Sequence, residues 1–353
     1  MKIHPPRHYD KQMMQSQPLI LEIINNFFDK KKQHKPNVVV IGYGWGGAAF
    51  AQNIDDRIYN VSVISKRPSR LNQPYMIADL EPSFTLPPPK MELIEDEAKS
   101  INVRSKHVFG QITSYPYDYL VVAAGAEPND FGVKGVTEYC QMFKTEADLE
   151  ILKTRLQNVQ VVTVIGAGPT GIELALKLRS LGKTVEILEA SPQILPGFSD
   201  KMRKELLTEL GNKQVKISLD CKITHIGPRS YTTTEKSVPY TGLLIWTCGQ
   251  KPVEFVRNNP TLMKPDQTLK VSDTVYALGD CIQGHGPPTA QNAKQQGLYL
   301  ANHFNSKFTD TTPYKFKEKG RIIDTPSCIY VEVSGTLYKF PPFFRFLIKT
   351  MTE

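Results

Sequence analysis

Two glycine clusters of one pattern stand 124 residues apart: Gly42-Tyr43-Gly44-Trp45-Gly46-Gly47 and Gly166-Ala167-Gly168-Pro169-Thr170-Gly171. Glycine recurs at the first, third and sixth place of each, the spacing that suits a dinucleotide pyrophosphate. The first glycine makes a tight turn, the second lets the phosphates approach the backbone, and the third lets a helix pack closely on its strand. The amides at the positive end of that helix then face the phosphates. One such cluster is weak evidence, because glycine turns are common. Here each follows an apolar run, Val38–Ile41 or Val161–Ile165, and opens a helix-like segment, the context the pattern requires. Two dinucleotides on one chain imply electron transfer between them.

Other chemistry-bearing residues fall at fixed places around the clusters. Glu189 lies 23 residues beyond Gly166 at the end of a second strand. A carboxylate there can accept hydrogen bonds from ribose hydroxyls and repels a 2′-phosphate, so this unit should prefer NADH to NADPH. An ordinary strand-end glutamate is the plainer alternative. The same offset from Gly42 falls on Ser65, followed by Lys66 and Arg67. That basic pair suits a 2′-phosphate, or else the first unit binds FAD with its ribose held less directly. Gly279-Asp280 favours FAD, because an aspartate between a strand and a helix suits the ribityl and phosphate region of a flavin. A simple helix cap is the alternative.

These residues need two α/β units to position them. Val38 to Ile64 reads as strand, helix and strand, and Val161 to Leu188 repeats it. Tyr117–Gly125 and Leu243–Gly249 each read as a strand ending in small residues, which adds Ala124, Gly125, Thr247 and Gly249 to the cofactor-binding positions. A helix is expected from Thr145 to Leu156, and residues 68–90 read as proline-rich and irregular. In residues 1–36, Leu19, Ile20, Ile23, Ile24, Phe27 and Phe28 recur at helical spacing. The expected fold is α/β with two Rossmann-like domains. The FAD domain comprises 37–144 and 255–313, the NADH domain 145–254 is inserted in it, and 1–36 and 314–353 are extensions.

The net charge of +8 is concentrated at the ends, with +4 in residues 1–36 and +3 in 314–353. No basic module with interleaved aromatics points to nucleic acid, so an anionic membrane surface is the better partner, with solvated terminal charge as the alternative. No apolar run approaches the ~20 residues that span a bilayer. The five cysteines form no CxxC pair and the histidines no ligand cluster, so no metal site is expected.

Over roughly residues 37–305 the sequence resembles the two-dinucleotide-binding flavoproteins, most closely the type II NADH:quinone oxidoreductases, or alternative NADH dehydrogenases. The resemblance rests on both glycine clusters, on Ala124-Gly125-Ala126-Glu127-Pro128-Asn129, on Leu278-Gly279-Asp280-Cys281 and above all on Pro288-Thr289-Ala290-Gln291-Asn292-Ala293-Lys294-Gln295-Gln296-Gly297. It implies FAD and NADH as cofactors and a quinone as acceptor, without proton pumping. Gln291 and Gln295 would lie at the quinone pocket, and Glu173 where nicotinamide and quinone meet the flavin. A backbone-bonded amide is the alternative for Gln291, and an interior ion pair for Glu173.

The resemblance also implies peripheral association with a mitochondrial inner membrane or a bacterial-type plasma membrane, and a homodimer as an assembly. Residues 314–353, with Tyr338, Phe340, Phe343, Phe344, Phe346 and Leu347 among Lys339, Arg345 and Lys349, read as the membrane-associating segment. The chain departs from the family in being shorter, in Asn72–Pro89 and in its last block. Two rivals remain at this stage: an oxidoreductase like apoptosis-inducing factor or ferredoxin reductase with another acceptor, and a catalytically degenerate flavin- or NAD-sensing protein.

Overall fold

The computed structural model describes residues 35–88 and 91–345. The helix expected within 1–36, and Phe346, Leu347 and Lys349, lie outside the described residues.

Val38–Ile41 and Val161–Ile165 are each the centre of a sheet. Such runs of β-branched residues, buried on both faces except at the exposed Val161, suit parallel strands covered by helices. In the first sheet Asn37–Ile41 pairs with Asn60–Ser65 on one side and Tyr119–Val122 on the other, all parallel. Glu92–Glu95 and Val275–Ala277 extend it in parallel, and Lys270–Ser272 closes one edge antiparallel. In the second, Val161–Ile165 lies between Thr184–Leu188 and Leu243–Trp246, with Lys216–Ser218 and Cys140–Met142 at the edges, all parallel. The duplication read from the glycine clusters is therefore a duplication of sheet order.

The second unit is inserted in the first through one pair of antiparallel strands. Ala126–Pro128 leads out and Gln250–Pro252 leads back. The crossing is stitched by Arg257–Glu127 at 2.6 Å and Lys251–Asp130 at 3.2 Å. Because Cys140–Met142 already belongs to the second sheet, that unit begins before Thr145. The helix beyond it runs over Glu146–Asn158, opened by a capping box between Thr145 and Asp148.

Two segments differ from expectation. The proline-rich stretch contains a helix, Gln73–Asp79, whose first turn holds a proline where no N–H is needed. Its Met76 and Ile77 enter the core of the second unit. Residues 321–340, within the expected membrane-associating segment, form a three-stranded antiparallel sheet of Arg321–Asp324, Ile329–Val333 and Thr336–Phe340. Burial drives its docking, since Ile323, Tyr330 and Leu337 join the same core as Leu174, Met202 and Leu206. The Glu209 carboxylate, buried at this junction, accepts hydrogen bonds from the hydroxyls of Thr325, Ser327 and Tyr330. A buried carboxylate needs such donors.

The helix after the first glycine cluster, Trp45–Asn53, packs on the late helix Ala290–Asn305. A Cβ at Gly297 would stand 2.3 Å from the Gly46 carbonyl oxygen and 2.9 Å from Ala49 Cβ. Alanine would favour the helix by up to ~1 kcal/mol, but a clash with backbone cannot be relieved by a rotamer change. Gly297→Ala should therefore destabilise by about 1–2 kcal/mol, read as a lower urea midpoint. Gly211→Ala, in a helix with nothing within 4 Å of the new Cβ, should be neutral or stabilising by up to ~1 kcal/mol.

Candidate dinucleotide-binding clefts

The two turns match closely. Gly42 has φ +98° and Gly166 has φ +104°, a region L side chains rarely adopt. Gly42 N–H donates to Ile64 O and Gly166 N–H to Leu188 O, each at 2.8 Å. A Cβ on Gly47 would lie 2.0 Å from Gly42 O, and one on Gly171 1.9 Å from Gly166 O. The middle glycines, Gly44 and Gly168, instead face open space and are N-caps without a side-chain cap bond. Each turn thus leaves a concavity of backbone N–H groups at a helix start, where an anion fits. Gly46 packs on Leu278, and Pro169 and Thr170 open the second helix.

Strand ends gather the other residues at these turns. Glu189 bridges the second turn, with Oε2 accepting from Ala167 N–H at 2.7 Å and Oε1 from Ser191 N–H at 2.8 Å. Its position beside the glycine loop fits an acceptor for ribose hydroxyls. Thr247 Oγ lies beneath the same turn and donates to the carbonyls of Ile165 and Gly166. Gly249, at φ +49°, lets the chain pass Phe131.

At the first turn Ser65 offers no acid, and its Oγ accepts only from Arg67 N–H at 3.4 Å. Lys66 pairs with Glu97 at 2.9 Å, which removes half of the basic pair that a 2′-phosphate would use. Ala124 and Gly125 follow the adjacent strand, and Gly125, at φ +69°, has open space where a Cβ would be.

Gly279 and Asp280 reach the same turn through Leu278. Gly279 N–H donates at 2.6 Å to Oε1 of Gln296, a fully buried amide that also bonds His285 O. The Asp280 carboxylate receives no hydrogen bond among the described residues. Burial pushes its proton affinity up, against the pull of Lys144 across the cleft. Burial in turn lowers the Lys144 ammonium, and Asp280 opposes that. A desolvated carboxylate short of donors beside a glycine cradle fits the hydroxyl-bearing ribityl chain of a flavin. Lys144 lines a cavity of ≈ 70 Å³ between the units, together with Gln73, Met76, Phe143, Thr170 and Gly249, and donates to Gln250 Oε1 at 2.7 Å.

Gln296, Lys144 and Arg70 escaped the sequence reading. The Arg70 guanidinium lies 3.9 Å over the Trp45 ring at the start of the first helix. Only the position of Gln296 within the Gln-Gln pair, and of Lys144 just after a strand, carried a signal.

The glutamines expected at a quinone pocket are engaged elsewhere. Gln291 accepts from Lys319 N–H at 2.9 Å and donates to Gly320 O at 3.3 Å. Gln295 accepts from Lys317 N–H at 3.0 Å and donates to Lys317 O at 2.8 Å. Both amides bind the backbone that leads into the C-terminal sheet. Glu173 faces that sheet as well, with Oε1 accepting from Asp324 N–H at 2.8 Å. It keeps a narrow opening to solvent, yet desolvation pushes its carboxyl up to about 8. The Asp324 charge adds to this, whereas the Asp324 N–H and Arg345 oppose it. The interior ion pair beside it is Arg345–Asp324 rather than one of its own.

No thiol here is poised for disulfide chemistry. All five cysteines are free, and burial raises Cys140 and Cys248 to about 12 and Cys281 to about 11.

The pattern of the pyridine nucleotide-disulphide oxidoreductases matches residues 36–297. The chain is 27% identical to the external NADH-ubiquinone oxidoreductase 2, mitochondrial, of Saccharomyces cerevisiae, over 77% of this chain and 63% of that protein. It is 28% identical to the external alternative NADH-ubiquinone oxidoreductase, mitochondrial, of Yarrowia lipolytica, over 77% and 59%. The chain thus spans about three fifths of the length of these curated relatives. The structure of NDH2 from Plasmodium falciparum in complex with NADH shares the fold, with a TM-score of 0.80 over 90% of this chain and 94% of that chain at 20% identity. The resemblance read from the sequence and the duplicated fold agree with these likenesses. This chain belongs to the pyridine nucleotide-disulphide oxidoreductase family.

Proposed function

We propose that this chain is an FAD-dependent oxidoreductase that oxidises NADH and reduces a quinone, without pumping protons, at the surface of a mitochondrial inner membrane. The observation that carries this reading is the repeated glycine turn with unlike partners. The second turn has an acid, Glu189, at the ribose position, and the first has Ser65 there with Asp280 alongside. FAD, when bound, supplies a ring that accepts a hydride and returns two electrons to a second acceptor. The protein holds the phosphates on backbone amides, offers Asp280 to the ribityl hydroxyls and presents Lys144 and Thr170 at the cleft between units. The names of the yeast relatives support ubiquinone as acceptor over the two rival readings.

The membrane face is supported by an exposed aromatic edge. Phe343 is 76% and Tyr338 49% exposed, and the Phe343 and Phe344 rings lie tilted against each other with centroids 4.3 Å apart. Lys339 and Arg345 are bound to Glu205 and Asp324, so among the described residues of 314–345 the exposed cations outside an ion pair are Lys315, Lys317 and Lys319, which suit anionic lipid. No helix among the described residues is long and apolar enough to cross a membrane.

The first test is the absorbance spectrum of the purified protein. A flavin spectrum should bleach with NADH and return with a short-chain ubiquinone. A bound flavin that NADH does not bleach, or that quinone never restores, overturns the assignment. NADH should be used far better than NADPH, and Glu189→Gln should narrow that preference, measured as the ratio of kcat/KM. Asp280→Ala should lose flavin on dilution and gel filtration while NADH binding by the second unit survives.

Gln291 is proposed to act at the quinone, for which its amide must exchange the Lys319 backbone for a quinone oxygen. Gln291→Ala should leave flavin reduction by NADH nearly intact. It should slow reoxidation by quinone about 2- to 13-fold, the worth of one hydrogen bond of about 0.5–1.5 kcal/mol. A soluble one-electron dye should be affected less. Equal losses with quinone and dye would show that Gln291 only clasps the 317–320 segment.

A further inference from the structure

Glu173 stands on the helix Pro169–Ser180, which packs on the C-terminal strand Arg321–Asp324. Beyond the Asp324 N–H bond, the Asp324 carboxylate is held by Arg345 at two points, Nε to Oδ2 at 2.7 Å and Nη2 to Oδ1 at 2.8 Å. Nη2 also reaches Thr325 O at 3.2 Å. The two side chains are only 24% and 18% exposed, so this fork is largely withdrawn from water.

The elements around Glu173 supply few other charges. The helix Gln73–Asp79 brings Asp79, which also faces Arg345. Strand Thr184–Leu188 brings Glu186, paired with Lys216. Strand Arg321–Asp324 brings Arg321, paired with Glu318. Strand Val161–Ile165 brings no charge. Glu173's own helix carries Lys177 and Arg179, and Arg179 is bound to the carbonyls of Lys213 and Lys183. Among the described residues, the charges that act on Glu173 are Asp324 and Arg345.

We propose that the Arg345–Asp324 pair is a positioning device for Glu173, deciding at which pH this carboxyl carries a proton. Arg345 favours the carboxylate, and Asp324 disfavours it while its N–H fixes Oε1 in place. Desolvation sets the upward direction, and the balance of these two opposed charges sets where the midpoint falls. Neutral Glu173 at physiological pH can then hold a proton at Oε2 for a quinone oxygen that is being reduced. The proposal rests on the reading of Glu173 given above only for that last step.

Arg345 and Asp324 pull in opposite directions, so removing each must move Glu173 in opposite directions. The test is infrared titration of the full flavin-loaded chain, with the Glu173 carboxyl C=O band assigned by difference from Glu173→Gln. The wild-type midpoint should lie near 8. Arg345→Gln should raise it by about one unit, Asp324→Asn should lower it by about one unit, and Arg345→Lys should return it toward wild type. A shift of both in one direction, or a midpoint unmoved by Asp324→Asn, overturns the proposal. The second result does so even if Arg345→Gln fails to fold.

Stability gives a second readout. The Glu173 carboxyl rises from its ordinary 4.5 to about 8 on folding, so the stability its neutral form provides is full below pH 4.5 and is lost as pH rises through 8. The urea midpoint of wild type should therefore fall relative to Glu173→Gln across that window, and a constant difference counts against the proposal. Stopped-flow reoxidation by a short-chain quinone over the same pH range separates the two levels. If the infrared midpoints move as expected and reoxidation does not follow them, the pair governs Glu173 but Glu173 does not serve the quinone.

Discussion

Close approach of backbone to backbone, at positions where no side chain can stand, is the constraint on which the rest of this protein depends. Gly47 sits over the Gly42 carbonyl, Gly171 over the Gly166 carbonyl, and Gly297 over that of Gly46. The first two contacts turn strand into helix tightly enough to leave backbone N–H groups facing outward, and the third brings a helix from late in the chain onto the first turn. Asp280 comes with that helix, because Leu278 is its neighbour in sequence and packs on Gly46. One steric requirement thus shapes both clefts and delivers a residue 238 positions from Gly42.

Charge is then used sparingly within the frame. Asp280 and Lys144 face each other across the cleft without a direct bond, and both are shifted toward neutrality by burial. Such a pair costs solvation in the empty protein, and that cost is offset when polar ligand groups enter between the partners. Glu173 is the third desolvated group, and it differs in having its hydrogen bond from a backbone N–H outside both nucleotide units. The C-terminal sheet is therefore part of the electrostatics of the helix that opens at the second glycine turn, although its strands lie beyond the matched family region.

What the sequence disclosed was mainly local. The glycine turns, Glu189 at its fixed offset and the helix beginning at Thr145 are set by residues near one another in the chain, so spacing alone located them. The order of both sheets followed from duplication. Gln296 beneath Gly279, Arg70 over Trp45 and the Arg345–Asp324 fork were not legible, because each joins residues whose proximity only the packed fold creates. The sheet within the block 314–353 was not legible for a related reason. Aromatics interleaved with lysines drew attention to composition, whereas one residue from each strand, Ile323, Tyr330 and Leu337, is directed into the core.

The glutamines show how that sheet and the cleft are joined. Gln291 and Gln295 lie one turn apart on a helix that begins beside Gly279, and both hold the backbone of 317–320. Three residues further on, the chain enters the core at Ile323, and Asp324 then meets Glu173. Glu209 receives Thr325, Ser327 and Tyr330 immediately afterwards. The C-terminal sheet is thus clasped by the first unit through neutral amides and by the second through carboxylates, and it bridges the two. Neutral amide bonds to backbone carry no net charge and depend little on pH. A ligand that competed for Gln291 would therefore loosen the clasp on one side only, leaving the carboxylate contacts of the other unit in place. That asymmetry separates the two clasps, so that one can open while the other holds the sheet.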